Sequence, residues 1–223
     1  MSHNPWSPDC ELLVSAGMDG NVIGYRVTST GDDQNAGANR TVSMERIVHV
    51  TGHTQPVTSV NLFVDRGMLL MASGGLDHTI LLTDPSQETL PSALRTLNNH
   101  TGPIVDLSAA NAVTNDESAL LASVSEDRTV RFWQPGTGRL LRFTRLSETP
   151  TAVVLSKDGR QAVVGDDAGK ITVIETATAR ILRTVPTGMS RVVSIEQDQS
   201  RRLVYIGGPR SQIQVLAGLG TTP

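Results

Sequence analysis

The chain has 223 residues, 38% of them hydrophobic and 18% charged, so it is long enough to bury a sizeable core without disulfides. Its net charge is −3 and its basic residues are scattered, which argues against nucleic acid as the main partner. The single cysteine, Cys10, excludes an intramolecular disulfide and any metal site built from several cysteines.

The first ten residues, Met1 to Cys10, are polar and contain two prolines, so they do not have the pattern of a signal peptide. The longest apolar runs, such as Met68 to Ala72, are far shorter than the roughly 20 residues that cross a bilayer. We therefore expect a cytoplasmic protein with no membrane span and no cofactor.

A repeated pattern runs along the chain: an aliphatic run, a serine, an aspartate, and a second apolar run. Three copies keep all of these features, namely Leu12 to Arg26, Leu70 to Asp84 and Leu120 to Gln134. Two weaker copies, Gln161 to Glu175 and Leu203 to Leu216, have Ala168 and Arg210 in place of the aspartate. The spacing of the last copies matches a propeller-blade period of about 40 to 45 residues.

Within each copy the pattern predicts short strands joined by turns. In the unit that contains the second copy, the predicted strands are Val57 to Phe63, Leu69 to Ser73 and Thr79 to Leu82, which are short β-branched or aliphatic runs bounded by turn residues. Three polar insertions are predicted to be surface loops: Ser29 to Arg40, Ser86 to Ala93 and Ala110 to Ser118. No segment predicts a long helix.

A unit of three or four short strands cannot bury both of its faces, so neighbouring units must stack, and radial stacking gives a β-propeller. We predict an all-β fold with one domain, residues 1–223, of about four to five blades. The expected blades are 1–50 (incomplete), 51–97, 98–140, 141–183 and 184–223 (incomplete). Because the first lacks an inner strand and the last an outer strand by this count, we expect an open or partial ring.

The motifs also carry a family resemblance. Gly52-His53, Ala72-Ser73-Gly74, Asp77-His78-Thr79-Ile80 and Thr83-Asp84 resemble a WD repeat with the terminal Asp but without the Trp. His100, Ala122-Ser123 and the run Asp127 to Trp133 resemble it more fully. The resemblance implies WD-type blades and a structural, hydrogen-bonded tetrad of His100, Ser123, Asp127 and Trp133. It implies a partial tetrad of His53, Ser73 and Asp77, with Thr83 in the Trp position.

A serine, a histidine and an acid can also form a nucleophilic triad, but we favour the structural role. A carboxylate and an imidazole buried inside a blade need each other as hydrogen-bond partners. The fourth and fifth blades lack these residues, with Leu146 where a histidine would be, so we expect them to depend on apolar packing alone. His49, His53 and His78 have no metal-ligand spacing, and no metal site is expected.

The function implied is a non-catalytic scaffold or adaptor that binds other proteins through propeller loops. Seven turn residues are candidate partner contacts: Gln55, His78, Glu126, Arg128, Asp166, Asp167 and Arg210. For Asp166 and Asp167 the alternative role is a solvated turn. Two alternatives for the chain remain open, a propeller-fold hydrolase and a fragment of a larger propeller protein. Unpaired blade edges would allow self-association.

Overall fold

The structure, a computed structural model, describes residues 12–30, 41–86, 93–111, 117–198 and 203–217. Within these ranges it consists of 18 β-strands and no helix. The strands form five antiparallel sheets in which each strand pairs with the next along the chain. We refer to these sheets as the first to fifth blades. The expected all-β fold is thus confirmed.

The blades are defined by the following strands. The first contains β1 (Leu12–Ala16), β2 (Asn21–Thr30) and β3 (Thr41–Thr51). The second contains β4 (Val57–Asp65), β5 (Met68–Gly75), β6 (Ile80–Thr83) and β7 (Arg95–Leu97), and the third β8 (Ile104–Ala110), β9 (Leu120–Ser125), β10 (Thr129–Gln134) and β11 (Arg139–Arg145). The fourth contains β12 (Pro150–Leu155), β13 (Gln161–Asp166), β14 (Lys170–Glu175) and β15 (Arg180–Pro186), and the fifth β16 (Ser194–Asp198), β17 (Leu203–Gly207) and β18 (Ile213–Ala217).

One hairpin recurs in all five blades with the same turn length. The last cross-strand pairs before the turn are Ala16↔Val22, Gly74↔Ile80, Val124↔Val130, Gly165↔Ile171 and Gly207↔Ile213. Residues 19, 77, 127, 168 and 210 are therefore each the third residue after the first partner of that pair. This is the alignment that the sequence repeat predicts.

The predicted loops are shorter than the sequence suggested. Strands β2 and β3 pair as far as Thr30↔Thr41, so Ser29 and Thr30 belong to a strand and not to a loop. Ala110 is the last residue of β8. Residues 31–40, 87–92 and 112–116 of these insertions lie outside the described residues, as does Cys10.

The inner strands β4, β8, β12 and β16 lie side by side. Two hydrogen bonds between β4 and the third blade show the relative direction of the strands. Thr58 Oγ1 donates to the Ile104 carbonyl (2.7 Å), and, further along both strands, the Val64 amide donates to Asn111 Oδ1 (3.0 Å). The inner strands of these two blades therefore run parallel, and their equivalent turns lie at the same end. Across the described residues the five sheets are not closed into a ring.

The core is divided into four apolar clusters, one between each pair of neighbouring blades. The cluster between the second and third blades includes Phe63, Ile80, Leu121 and Trp133. The others join the first to the second blade, the third to the fourth, and the fourth to the fifth. Tyr25 occupies the register position of Trp133 in the first blade and is half-buried.

Asp106, in β8, links three blades. Its carboxylate accepts hydrogen bonds from Ser59 Oγ of the second blade (2.9 Å), the Val153 amide of the fourth (2.9 Å) and the Leu107 amide of its own strand (2.9 Å). Although the residue keeps some exposed surface, the surrounding sheets desolvate its carboxylate and raise the pKa of Asp106 to about 6. Asp106 was not singled out from the sequence, although an acid inside an apolar strand is a signal for a buried carboxylate.

Asp65, at the end of β4, joins the second and third blades at the opposite end. Its Oδ1 accepts hydrogen bonds from the Ser118 hydroxyl (2.9 Å) and the Ala119 amide (2.6 Å). Gly136 lies against its Oδ2 with no room for a Cβ atom. Turns of the third blade are therefore held by a fully buried carboxylate of the second.

We predict that Asp106→Ala lowers the free energy of unfolding by about 1–3 kcal/mol, because it leaves the Val153 amide and the Ser59 hydroxyl without their acceptor and removes one of the two acceptors of the Leu107 amide. Ser59→Ala, which removes only one of the three donors, should cost about 0.5–1.5 kcal/mol. Urea unfolding of both variants measures the difference. A loss in Asp106→Ala no larger than that in Ser59→Ala would contradict a three-blade role.

Candidate functional site

The turns between the second and third strands of the blades define one face, which we call the turn face: residues 17–20, 76–79, 126–128, 167–169 and 208–212. In three blades the turn is held to the loop that enters the inner strand by an equivalent backbone hydrogen bond. The donors are the amides of Leu76, Glu126 and Asp167, and the acceptors are the carbonyls of Pro56 (2.9 Å), Pro103 (3.0 Å) and Thr149 (3.0 Å). Turn and entry loop therefore form one surface in each of these blades.

In the third blade, four side chains form a hydrogen-bonded chain beneath this surface. Trp133 Nε1 donates to Ser123 Oγ (2.8 Å), Ser123 Oγ lies 2.7 Å from His100 Nε2, and His100 Nδ1 lies 2.8 Å from Asp127 Oδ2. These distances fit a neutral imidazole that accepts from the serine hydroxyl at Nε2 and donates to the carboxylate from Nδ1. The structure thus brings together His100, Ser123, Asp127 and Trp133.

The Asp127 carboxylate also holds the backbone of the turn face. It accepts hydrogen bonds from the Thr101 amide (3.1 Å), the Thr129 amide (2.9 Å) and the Thr129 hydroxyl (2.6 Å). Thr129 was not singled out from the sequence, although Asp-x-Thr recurs as Asp77-His78-Thr79 and Asp127-Arg128-Thr129. One carboxylate therefore fixes both the entry loop and the turn.

Burial keeps the imidazole neutral, and hydrogen bonds keep the carboxylate ionised. Desolvation lowers the pKa of His100 to about 4, more than the hydrogen bond to Asp127 raises it. Burial raises the pKa of Asp127, but the hydrogen bonds from Thr129, His100 and Thr101 outweigh it and lower that pKa to about 2.

The second blade has the same arrangement without the indole. His53 Nε2 lies 2.9 Å from Ser73 Oγ, and His53 Nδ1 lies 3.0 Å from Asp77 Oδ2. Asp77 accepts from the Thr54 amide (2.9 Å) and the Thr79 hydroxyl (2.7 Å), as Asp127 does from Thr101 and Thr129.

Thr83 replaces the tryptophan of this second network. It pairs with Met71 as Trp133 pairs with Leu121, so the two residues share one register position. Its side chain is buried, and within the described part of the chain its hydroxyl has no hydrogen-bond partner.

The first blade keeps the aspartate but, among its described residues, has no such network. Asp19 is exposed, and the hydrogen bonds it accepts from the described part of the chain come from the Asn21 amide (3.1 Å) and side chain (2.7 Å). Ser15, which aligns with Ser73 and Ser123, is also exposed. The alignment of serine and aspartate was therefore not enough to predict the side-chain contacts.

In the fourth blade a different aspartate holds the turn. Asp166 is only 6% exposed, and its Oδ1 accepts hydrogen bonds from the amides of Ala168 (3.0 Å) and Lys170 (2.8 Å). The expectation of a solvated Asp166 is wrong, because these amides draw the carboxylate inward, and the residue presents little surface to a partner. Apolar packing alone does not hold this blade.

The remaining candidate contacts lie at the turn face with accessible side chains. Gln55, Glu126, Arg128, Asp167 and Arg210 are exposed, and His78 is half-buried. His78 and Arg128 have left-handed backbone conformations, with φ of 68° and 61°. The equivalent positions of the first and fourth blades are Gly20 and Gly169, with φ of 80° and 71°.

The order Asp127, His100, Ser123 is that of a hydrolytic triad, but its surroundings differ. Ser123 is fully buried, and the Trp133 indole already donates to its oxygen. A nucleophile must reach its substrate, and this hydroxyl does not reach the surface. Across the described residues no group of three or more His, Cys, Asp or Glu side chains is placed to hold a metal ion, and no helix is long and apolar enough to span a membrane.

The depressed pKa of His100 has a defined pH signature. Because the unfolded imidazole titrates near 6.5 and the folded one near 4, the stabilisation from the neutral histidine is present above pH 6.5 and is lost as the pH falls towards 4. We predict that His100→Gln is less stable at pH 7 and loses less stability than the wild type between pH 6.5 and 4. Urea unfolding across this range measures both slopes; parallel slopes would contradict a buried neutral His100.

Substitution of Thr83 and of Thr129 by valine should change the free energy of unfolding in opposite directions. Thr83→Val removes a buried hydroxyl without a partner and should raise the free energy of unfolding by about 0.5–1 kcal/mol. Thr129→Val removes a hydroxyl that donates to Asp127 and should lower it by about 1–2 kcal/mol. Thermal and urea unfolding test the pair, and a destabilised Thr83→Val would show that its hydroxyl has a partner in solution.

Comparison with known proteins gives a family match and several partial relatives. The model of the family "WD domain, G-beta repeat" matches residues 1–25, 44–84 and 91–134. The nuclear distribution protein PAC1 of Arthroderma benhamiae is 35% identical over 127 residues, which are 53% of this chain and 26% of that protein. Pre-mRNA-processing factor 17 of Saccharomyces cerevisiae is 33% identical over 102 residues, 46% of this chain and 21% of that protein. The chain thus spans about a quarter of the PAC1 length.

A solved structure shares the fold over most of the chain. A chain in the crystal structure of the mitotic checkpoint complex superposes with a TM-score of 0.70 at 16% identity, covering 94% of this chain and 59% of that one. At this identity the likeness concerns the fold alone. The repeated hairpin, the family matches and this superposition agree, and the chain belongs to the WD-repeat β-propeller family.

Proposed function

We propose that this chain is a non-catalytic scaffold or adaptor that binds another protein through the turn face. The observation that carries the proposal is the conformation of His78 and Arg128. A left-handed conformation costs a non-glycine residue roughly 1 kcal/mol or more, and it persists only where the surroundings enforce it. The first and fourth blades avoid this cost with glycine, whereas the second and third keep a side chain.

The side chains at these positions are held rigidly at the surface. Each follows an aspartate whose carboxylate binds the entry loop and the next threonine. A partner therefore meets residues that are already ordered, which lowers the entropic cost of binding. Glu126, Arg128, Asp167 and Arg210 add both signs of charge around them, a composition suited to specific contacts with a protein surface.

The structural role of the two buried networks is part of this proposal. His100, Ser123, Asp127 and Trp133, and the partial set His53, Ser73 and Asp77, support the surface from below. The named relatives support a scaffold or adaptor role. The partner's identity, the cytoplasmic location and self-association through blade edges stay predictions from the sequence.

Glycine substitutions test the turn face without disturbing the turns. His78→Gly with Arg128→Gly reproduces what the first and fourth blades have at this position, so folding should be retained and stability should change by less than about 1 kcal/mol. The measurement is affinity capture from source-cell extract followed by cross-linking mass spectrometry. Proteins that cross-link to the turn face of the wild type should be recovered at least about fivefold less by the glycine variant.

The control is the pair Lys157→Ala and Arg160→Ala, two exposed residues in the β12–β13 turn at the opposite end of the fourth blade. These substitutions should leave the captured set unchanged. Retention of the same proteins by the glycine variant, or an equal loss in the control, would place the binding surface elsewhere.

A further inference from the structure

The outer strand of the third blade, β11 (Arg139–Arg145), differs from the other outer strands. It lies at the edge of its sheet, so one side of its backbone has no paired strand. Its sequence, Arg-Leu-Leu-Arg-Phe-Thr-Arg, places two large apolar side chains in solvent: Leu141 is 37% exposed and Phe143 58%. Three exposed arginines, Arg139, Arg142 and Arg145, accompany them.

These three arginines are not neutralised. Within the described ranges no carboxylate lies within ion-pair distance of Arg139, Arg142 or Arg145. Strand β11 itself contains no acidic residue. The edge therefore combines unpaired backbone groups, exposed apolar surface and uncompensated positive charge.

The other outer strands lack this combination. In β3, Glu45 forms an ion pair with Arg26 at 3.4 Å. Strand β7 has only three residues, and its Arg95 donates to the Gly136 carbonyl. In β15, Ile181 and Val185 are also exposed, at 42% and 37%, but the strand has no aromatic side chain and Arg180 is the cross-strand partner of Glu175. The strand ends at Pro186, which has no amide proton to offer.

The Phe143 ring also packs against a side chain of the neighbouring strand, β10. The Arg131 guanidinium lies over its ring, 5.5 Å from the centroid, within the range of a cation–π contact. Arg131 is itself fixed by Thr129 Oγ1 (3.2 Å) and lies 3.6 Å from Asp127 Oδ2. The exposed aromatic is therefore ordered by the buried network of the blade, as expected of an anchor residue at an interface.

We propose that β11 binds an acidic, extended peptide segment of a partner protein, which adds to the third blade as a fifth strand. The segment's backbone pairs with the free edge of β11, its carboxylates face Arg139 and Arg142 on one side of the sheet, and an apolar side chain packs on Phe143 on the other side. Seven residues of strand span about 23 Å, enough for a peptide of seven or eight residues. This surface is separate from the turn face and does not depend on the function proposed for it.

Arginines at a sheet edge also have a protective role, since charge discourages pairing between edges. The exposed Phe143 and Leu141 favour binding over protection, because a purely protective edge gains nothing from ordered apolar surface. A single-stranded nucleic acid is the other anionic ligand, but it makes no use of an unpaired strand edge. The experiment separates all three.

The test measures fluorescence anisotropy of a labelled octapeptide of alternating glutamate and valine titrated with the full chain. We expect saturable binding that weakens with salt, and slower amide exchange at residues 139–145 in the complex. The octapeptide of alternating lysine and valine, and the glutamate–valine peptide with a central proline, should each bind at least about tenfold more weakly.

Variants locate the site. Phe143→Ala, and separately Arg142→Glu with Arg145→Glu, should each weaken binding about tenfold or more, whereas the matched change Arg180→Glu with Ile181→Ala in β15 should leave it unchanged. Two independent variants are used because Phe143 also contacts Arg131; circular dichroism verifies that each is folded.

The proposal is overturned by any of four results: no saturation up to millimolar protein, equal binding of the lysine or proline peptide, unchanged amide exchange in β11, or tighter binding of a twelve-residue oligothymidylate than of the acidic peptide. Absence of saturable binding would indicate that the edge is only protective. Tighter binding of the oligothymidylate would indicate a nucleic-acid site.

Discussion

Each blade has two apolar faces and can cover neither of them by itself, so burial between neighbouring blades is the interaction on which the structure depends. The four apolar clusters each lie between two blades, and Phe63, Leu121 and Trp133 show how side chains from adjacent sheets fill the space between them. At about 25 cal/mol for each Å² of apolar surface buried, these contacts supply most of the driving force for folding. They are non-directional, however, and do not by themselves fix the turns.

Directional contacts fix the turns, and the blades use different residues for the same task. Asp77 and Asp127 bind an entry loop, a threonine and a histidine, whereas Asp166 reaches its turn from two positions earlier and binds two backbone amides. The common requirement is an acceptor for amides that the tight hairpin leaves unpaired. In the second and third blades the WD motif supplies this acceptor through Asp77 and Asp127, whereas in the fourth blade Asp166 supplies it from outside the motif.

Much of the fold could be predicted because its signals are local and repeated. The alignment of Asp19, Asp77 and Asp127 reproduces the hairpin register, and the candidate contacts other than Asp166 lie at one face with accessible side chains. The inward turn of Asp166 and the exposure of Ser15 depend on which amides and side chains surround each position, and such information is not in the pattern of one repeat. Asp65 and Asp106 were missed because their partners come from other blades, about 50 residues away along the chain.

Asp106 has a consequence for how the blades come apart. A linear array of repeats has interfaces that separate independently, since each repeat contacts only its neighbours. A single carboxylate that accepts from both Ser59 and Val153 belongs to two interfaces at once. Opening either interface removes one hydrogen-bond donor from the Asp106 carboxylate, which also stabilises the other interface. The second, third and fourth blades are therefore coupled and are expected to open as one cooperative unit.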